Sequence, residues 1–90
     1  MVKQKQKPVG EEHELVDSRR DLILFNDETN TFEFVIQTLI DVCDHESLQA
    51  EQCAYIAHYN GKCAVKSGLF GELKPKFEEM TRRGLTVSID

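Results

Sequence analysis

Three consecutive polar residues, Asn26, Asp27 and Glu28, directly follow the apolar run 22–25 of sequence LILF. A new apolar pattern begins at Phe32, so the sequence predicts a strand that ends in a loop of hydrogen-bond acceptors, with a helix behind it. One amide oxygen and two carboxylates at the rim of a core suit a small cationic group, because all three accept hydrogen bonds and two carry negative charge. Taken alone, the same stretch also fits a solvated turn with a helix cap.

A second candidate group is His58-Tyr59-Asn60-Gly61-Lys62, at the predicted end of a later helix. A neutral imidazole nitrogen would add one more acceptor for a cation. His58 lies four residues after Ala54, so the two side chains share one helical face. The alternative for His58 alone is a helix-end histidine that bonds a local carbonyl group.

The charge of the chain limits the partners that it can take. Its 90 residues include 16 acidic and 11 basic side chains, for a formal net charge of −5. This balance disfavours nucleic acid as a partner and leaves cationic ligands open. No apolar run approaches the ~20 residues of a membrane span, and residues 1–10 lack the apolar stretch of a signal peptide. We therefore expect no membrane contact and a cytoplasmic location.

The cysteines, Cys43, Cys53 and Cys63, indicate neither a disulfide framework nor a zinc site. Their number is odd and no Cys-x-x-Cys pair exists. We expect all three to be buried small apolar residues. Nothing resembles a nucleophile elbow, a metal motif or a phosphate loop. The sequence therefore predicts no enzyme, no metal and no cofactor.

Hydrophobic periodicity predicts the order strand, helix, helix, strand, helix, strand. Strands are expected over 21–25, 62–66 and 85–89, and helices over 32–43, 47–60 and 71–83. Ser47 is expected to cap the second helix, and Pro75 to lie near the first turn of the third. The fold class is then α+β: a single small domain, residues 21–90, with a three-stranded antiparallel sheet packed against three helices. Residues 1–20 are expected to form a flexible N-terminal tail.

The motifs together resemble the ClpS family, the adaptors of the Clp protease. The family pattern is roughly Asn-Asp-Asp, then Met-Glu-Phe-Val, then His-Tyr-x-Gly-Lys about two dozen residues later. Residues 26–28, 33–35 and 58–62 match it at this separation, and the resemblance covers about 22–89. It implies a non-catalytic adaptor that binds proteins with a bulky hydrophobic first residue and hands them to an AAA+ unfoldase.

The resemblance also implies a role for individual residues. Asn26, Glu28 and His58 would hold the free α-amino group of the substrate, with Asp27 near its backbone. The pocket for the first side chain would be formed by Thr31, Val35, Ala54 and Leu85, with Phe32 at the mouth. The chain departs from the usual pattern at Glu28, where Asp is usual, at Phe32, where Met is common, and at Ala54, where a larger residue such as Met is common. The segment from His58 to Leu85 is also shorter than usual.

The implied partners are substrates with an N-terminal Leu, Phe, Tyr or Trp, and the N-terminal domain of a ClpA- or ClpC-type unfoldase. Glu72 and Lys74 are candidates for docking on the unfoldase, although they fit an ordinary solvated helix face equally well. The tail would then serve delivery. The rival hypothesis is a small scaffolding domain of the same fold that does not bind N-termini, since fold alone does not decide function.

Overall fold

Strands and helices follow one another in the predicted order and confirm the α+β class. The computed structural model describes residues 18–90, so residues 1–17 of the predicted tail, which was expected over 1–20, lie outside the described residues. Arg19 and Arg20 belong to the first strand and not to a tail. The elements are β1 (Arg19–Phe25), α1 (Phe32–Cys43), α2 (Ser47–Asn60), β2 (Lys62–Leu69), α3 (Phe70–Arg82) and β3 (Val87–Ile89).

The sheet has β1 at its centre, in the order β2-β1-β3, and both neighbours run antiparallel to it. β1 begins at Arg19, before the predicted start at residue 21, and β2 continues to Leu69, beyond the predicted end at residue 66. The extra residues pair with each other, Arg19 with Leu69 at the far end. The register shifts between Leu22 and Ile23, which leaves Val65 of β2 without a partner in a β-bulge.

The core lies between the sheet and the helices, where apolar side chains from every layer meet. α2 contributes Ala50, Ala54 and Ala57, all at most 4% exposed, and these small side chains let its backbone lie close to the sheet. Leu39 and Cys43 are the buried end of the predicted apolar face of α1. The remaining buried members of the core cluster are Leu22, Leu24, Val65, Leu73, Met80 and Leu85.

The helix ends explain two wrong predictions. The cap of α2 is Glu46 and makes no side-chain hydrogen bond, so Ser47 is the first helical residue and not the cap. α3 begins at Phe70, which places Pro75 in the helix interior and not in the first turn. The earlier start follows from the Glu72 carboxylate, whose Oε1 accepts a hydrogen bond from the Leu69 amide at 3.0 Å. This bond satisfies a backbone donor that the helix itself cannot pair.

The three cysteines do not share one environment. Cys43 is fully buried, whereas Cys53 and Cys63 are half-buried, so the predicted burial is confirmed only for Cys43. Burial raises the pKa of the Cys43 thiol to about 11. Burial, and then the neighbouring Cys63, raises the pKa of the Cys53 thiol to about 12. Both thiols therefore stay protonated at neutral pH and pack as small apolar groups.

His45 lies in the loop between α1 and α2 and is also part of the interior. Its ring is only 5% exposed, and its Nε2 lies 2.6 Å from the carbonyl oxygen of Val65, to which Nε2–H donates. This bond satisfies a backbone acceptor at the β-bulge. Within residues 18–90, no group of three or more His, Cys, Asp or Glu side chains is placed to hold a metal ion. None of the helices in this part of the chain combines the length and the apolarity that a bilayer crossing requires.

Candidate functional site

A cavity of about 210 Å³ lies where the end of β1, the first turns of α1 and the last turns of α2 meet. Leu24, Ala54 and Ala57 are almost completely buried and form its interior. Glu28, Phe32 and His58 are exposed and therefore lie at its opening. The other residues that line it are Phe25, Asn26, Asp27, Asn30, Thr31 and Val35.

The loop from β1 to α1 is shaped by the Asp27 carboxylate. Its Oδ1 accepts hydrogen bonds from the backbone amides of Thr29 at 3.0 Å and Asn30 at 2.9 Å. Both carboxylate oxygens also accept from Asn30 Nδ2, at 3.2 and 3.1 Å. Asn30 Nδ2 donates in addition to the carbonyl of Gly84, 3.1 Å away, which ties the loop to the end of α3. The Asp27 side chain is therefore engaged in holding the loop.

Three other polar side chains of the cavity are not engaged in this way. Asn26 Oδ1, the Glu28 carboxylate and the ring nitrogens of His58 make no hydrogen bond to any residue in the described part of the chain. They come from two elements, the loop after β1 and the last turns of α2. Each of them can accept a hydrogen bond, if the imidazole is neutral. The opening of an apolar cavity is thus lined by free acceptors, one of them a carboxylate.

The first turn of α1 is fixed by Thr31. Its hydroxyl accepts a hydrogen bond from the Phe34 amide at 3.1 Å, which makes Thr31 the cap of the helix. The Val35 amide donates to the Thr31 carbonyl at 3.0 Å. With the helix start fixed in this way, Phe32 lies at the cavity opening and Val35 lines the cavity one turn further along.

The model of the ClpS family, described as ATP-dependent Clp protease adaptor protein ClpS, matches residues 17–88. This chain belongs to the ClpS family. Among solved structures, it is similar to Agrobacterium tumefaciens ClpS2 bound to L-phenylalaninamide, with a TM-score of 0.68 and 19% identity over 80% of this chain and 94% of that chain. At this identity the similarity shows the fold. Comparison with curated proteins finds no match.

The predicted site residues of this ClpS chain gather at the cavity with one exception. Asn26, Asp27, Glu28 and His58, predicted for the amine, and Thr31, Phe32, Val35 and Ala54, predicted for the pocket, all line it. Leu85 does not line it. This residue follows the Gly84 turn, its amide donates to the Met80 carbonyl at 3.0 Å, and its side chain is buried in the core.

The docking candidates lie apart from the cavity, and from each other, on α3. Glu72 lines a cleft with Lys66 and Lys76, and its carboxylate is the group that caps α3. Lys74 lines the groove between α3 and β3. Their role in docking stays a prediction.

Sequence reasoning missed four residues that line the cavity, namely Leu24 and Phe25 at the end of β1, Asn30 and Ala57. Asn30 could have been found from its position three residues after Asp27, since an Asp that accepts hydrogen bonds from the following backbone amides is typical of such turns. Ala57 lies at helical spacing from Ala50 and Ala54, on the buried face of α2. The sequence alone does not show that this part of the face borders a cavity.

Gly61 connects the two elements that carry the free acceptors. It ends α2 in the left-handed conformation, with φ of 97°, and its amide donates to the Ala57 carbonyl at 2.9 Å. Its carbonyl accepts from the Asn26 amide, also at 2.9 Å. Together with the pairing of Phe25 and Lys62 in the sheet, Gly61 therefore sets the position of His58 relative to Asn26.

We expect Gly61→Ala to destabilise the fold by about 1 kcal/mol, because a residue with a Cβ is strained at this φ. The space around the new Cβ is open, so the cost is conformational and not a clash. Gly71→Ala is the matched control: its Cβ also meets open space, but Gly71 is the second residue of α3, where the backbone is helical and alanine is preferred over glycine without strain. Urea unfolding of the two variants should show shifts of opposite sign. Equal midpoints would contradict this account of Gly61.

Proposed function

We propose that this protein is an adaptor that binds proteins through a bulky hydrophobic first residue, Leu, Phe, Tyr or Trp, and delivers them to a Clp AAA+ unfoldase. The observation that carries the proposal is the set of free acceptors, Asn26, Glu28 and His58, at the opening of an apolar cavity. A ligand that fits both features must join a small cation with several donors to an apolar side chain. The first residue of a protein has this structure, whereas an internal residue has no amine.

The chemistry of the opening fits an α-ammonium group. Such a group has three N–H donors, and the cavity offers three acceptors from the Asn26 amide, the Glu28 carboxylate and the His58 imidazole. Bonds from a charged donor to a carboxylate are roughly twice as strong as neutral ones. His58 takes part only as the neutral imidazole, since an imidazolium would present a second cation to the amine.

The interior of the cavity fits the side chain of the first residue. The buried lining is apolar, with Leu24, Ala54 and Ala57, and the two alanines leave the volume beside α2 open. Burying a large apolar side chain there is favourable by about 1.5–3 kcal/mol. ClpS2 of Agrobacterium tumefaciens, which shares the fold, binds L-phenylalaninamide, a molecule with a free α-amine and an aromatic side chain.

Delivery to the unfoldase is the second half of the proposal and rests on family membership. The family is described as adaptors of the ATP-dependent Clp protease. We infer that the partner is the N-terminal domain of a ClpA- or ClpC-type unfoldase, that Glu72 and Lys74 contribute to docking, and that the complex acts in the cytoplasm. A scaffold that does not bind N-termini has no use for three free acceptors around one cavity.

The test is a titration with fluorescent peptides that begin with Leu or Phe and carry either a free or an acetylated N-terminus. We expect the free peptides to bind, and their acetylated counterparts to bind at least ~10-fold more weakly, since a hydrogen bond to a charged group contributes about 1.5–3 kcal/mol. A peptide that begins with Ala and has a free amine is the control for the pocket, and it should bind weakly. Equal affinity of the free and acetylated peptides would overturn the proposal.

A further inference from the structure

Four aromatic rings form a continuous patch at the opening of the cavity. The Phe32 ring lies 5.0 Å from Tyr55 and 5.1 Å from His58, between centroids. The fourth ring, that of Tyr59, lies 4.7 Å from His58 and 6.0 Å from Tyr55, so each ring contacts two of the others. Phe32 and His58 also line the cavity, whereas Tyr55 and Tyr59 lie outside it. The patch therefore leads from the opening onto the surface of α2.

The outer two rings are exposed to an unusual degree. Tyr55 is 47% and Tyr59 is 73% exposed, and the two are stacked with an angle of 9° between their planes. Positions four apart on a helix are neighbours, so the two tyrosines project from the same face of α2. Tyr59 contacts the Tyr55 and His58 rings and keeps most of its surface exposed. Two parallel and exposed rings are a surface on which a planar group can stack.

From this arrangement we infer that Tyr55 and Tyr59, with Phe32, form a second subsite that binds a planar side chain, aromatic or guanidinium, at the second residue of the substrate. The inference rests on the proposed function, because the first residue must occupy the cavity for the second to reach the rings. The subsite would add a preference for certain side chains at the second residue of the substrate, which does not enter the cavity. The occupant is the substrate chain, since the patch is continuous with the cavity opening through Phe32 and His58.

The reach of a peptide chain supports this assignment. Consecutive Cα atoms are about 3.8 Å apart, so a chain whose first residue is held at Asn26, Glu28 and His58 places its second residue beside the opening. The rings at that opening are those of Phe32 and His58, and each is in contact with one of the two tyrosines. A side chain at the second residue can therefore reach the surface of α2 beside the opening, where the two tyrosines lie.

Charge extends the preference from aromatic rings to arginine. The guanidinium group is planar and stacks on the faces of aromatic rings, whereas the lysine ammonium is a compact charge. Asp27 and Glu28 lie at the same opening, and the chain carries a net charge of −5, so a cation is favoured there and an acidic side chain is not. Arg and Lys are attracted equally by the negative charge of the opening. Comparing the affinities of peptides with Arg or Lys at the second position therefore separates stacking from charge attraction.

The test uses free-amine peptides that begin with Leu and differ only in the second residue: Ala, Leu, Lys, Phe or Arg. We expect the Phe and Arg peptides to bind ~3- to 10-fold more tightly than the Ala peptide, and Leu or Lys at the second position to give less than half of that gain. Tyr55→Ala and Tyr59→Ala should each reduce this gain, measured as the ratio of the Phe or Arg peptide affinity to the Leu-Ala peptide affinity of the same variant. Tyr59→Phe should preserve it, because the ring and not the hydroxyl is used.

Leu48→Ala is the matched control, since Leu48 is an exposed apolar residue of the same helix, 64% exposed and two turns from Tyr55. It should change none of the affinities. If the Leu-Ala peptide binds with a strict need for its free amine, yet all five peptides bind alike, the subsite is overturned and the proposed function stands. If the tyrosine variants alter only stability and keep the preference, the ring patch is local packing of α2 and the subsite is equally overturned. If no free-amine peptide binds at all, both fail together.

Discussion

Replacing Glu28 by Gln is expected to lower the affinity for a Leu-initiated peptide by about 10-fold or more, because the bond to the substrate ammonium loses its charge. The change keeps the length and shape of the side chain. Glu28 is exposed and makes no hydrogen bond to the residues from Ser18 to Asp90, so the folded protein does not depend on its carboxylate. The loss should therefore appear in binding and not in the unfolding curve.

Glu33→Gln is the matched control for Glu28→Gln. Glu33 is an exposed carboxylate in the first turn of α1, five residues away, and it does not line the cavity. Both variants change the net charge equally, so general attraction between a negative protein and a cationic peptide affects both alike. Measurement at two salt concentrations separates this screened contribution from the direct bond. Equal affinities of the two variants would mean that Glu28 does not contact the amine.

Glu28 also shows how much of the site can be predicted from residue types alone. Asn26, Asp27 and Glu28 are all acceptors, and the sequence predicts all three at a site for a cation. The structure separates them, because Asp27 accepts four hydrogen bonds from Thr29 and Asn30 and is engaged within its own loop. Which of several neighbouring carboxylates remains free depends on backbone geometry that a sequence pattern does not contain.

The helices were predicted well because each signal for them is local. The apolar face of α1 and the Asn60-Gly61 end of α2 follow from periodicity and from the tolerance of glycine for positive φ. The ends of the helices were less accurate, at Ser47 and Pro75. The errors in the strands lie where contacts between distant residues decide. β2 continues through Ser67 and Gly68, poor strand formers, because Asp21 and Arg20 of β1 pair with them.

The prediction of the site used both hydrophobic periodicity and the family resemblance. Periodicity placed Ala54 and His58 on one helical face, but only the resemblance brought Asn26 together with His58, since the chain between them forms two helices. The same source assigned Leu85 to the pocket, and in this fold it is a core residue. The segment before Leu85 is shorter than is usual in the family. Assigning family roles to this chain residue by residue does not take account of that difference. The position of Asn30 after Asp27 indicates its local bonds, but its bond to Gly84, 54 residues further along the chain, is not contained in any sequence pattern.

Ala54→Met is expected to change the selectivity of the cavity, with the largest loss for a Trp-initiated peptide. Ala54 is 4% exposed and lines the cavity beside Ala57. A methionine there would extend into a volume of about 210 Å³ that the substrate side chain is proposed to fill. Overfilling a packed site costs about 1–3 kcal/mol, which corresponds to ~5- to 150-fold in affinity.

The size of the loss should follow the size of the first side chain. Trp fills the most space and has the least freedom to move aside, so its peptide should lose the most, followed by Tyr and Phe. Leu is smaller and flexible, so its peptide should lose the least, and the order of preference should shift towards Leu. The free protein should remain folded, since the added side chain enters an open cavity and not the closed core occupied by Ala50.

Ala64→Met is the matched control for Ala54→Met, because Ala64 is exposed on β2 and does not line the cavity. It adds the same atoms without changing the proposed pocket, so all four affinities should equal those of the unchanged protein. The measurement is a titration of both variants with peptides that begin with Leu, Phe, Tyr or Trp and share the remaining sequence. Urea unfolding of each variant confirms that only binding is compared. An unchanged ranking for Ala54→Met would show that the first side chain enters somewhere other than beside Ala54, and the proposed location of the hydrophobic pocket would then be wrong.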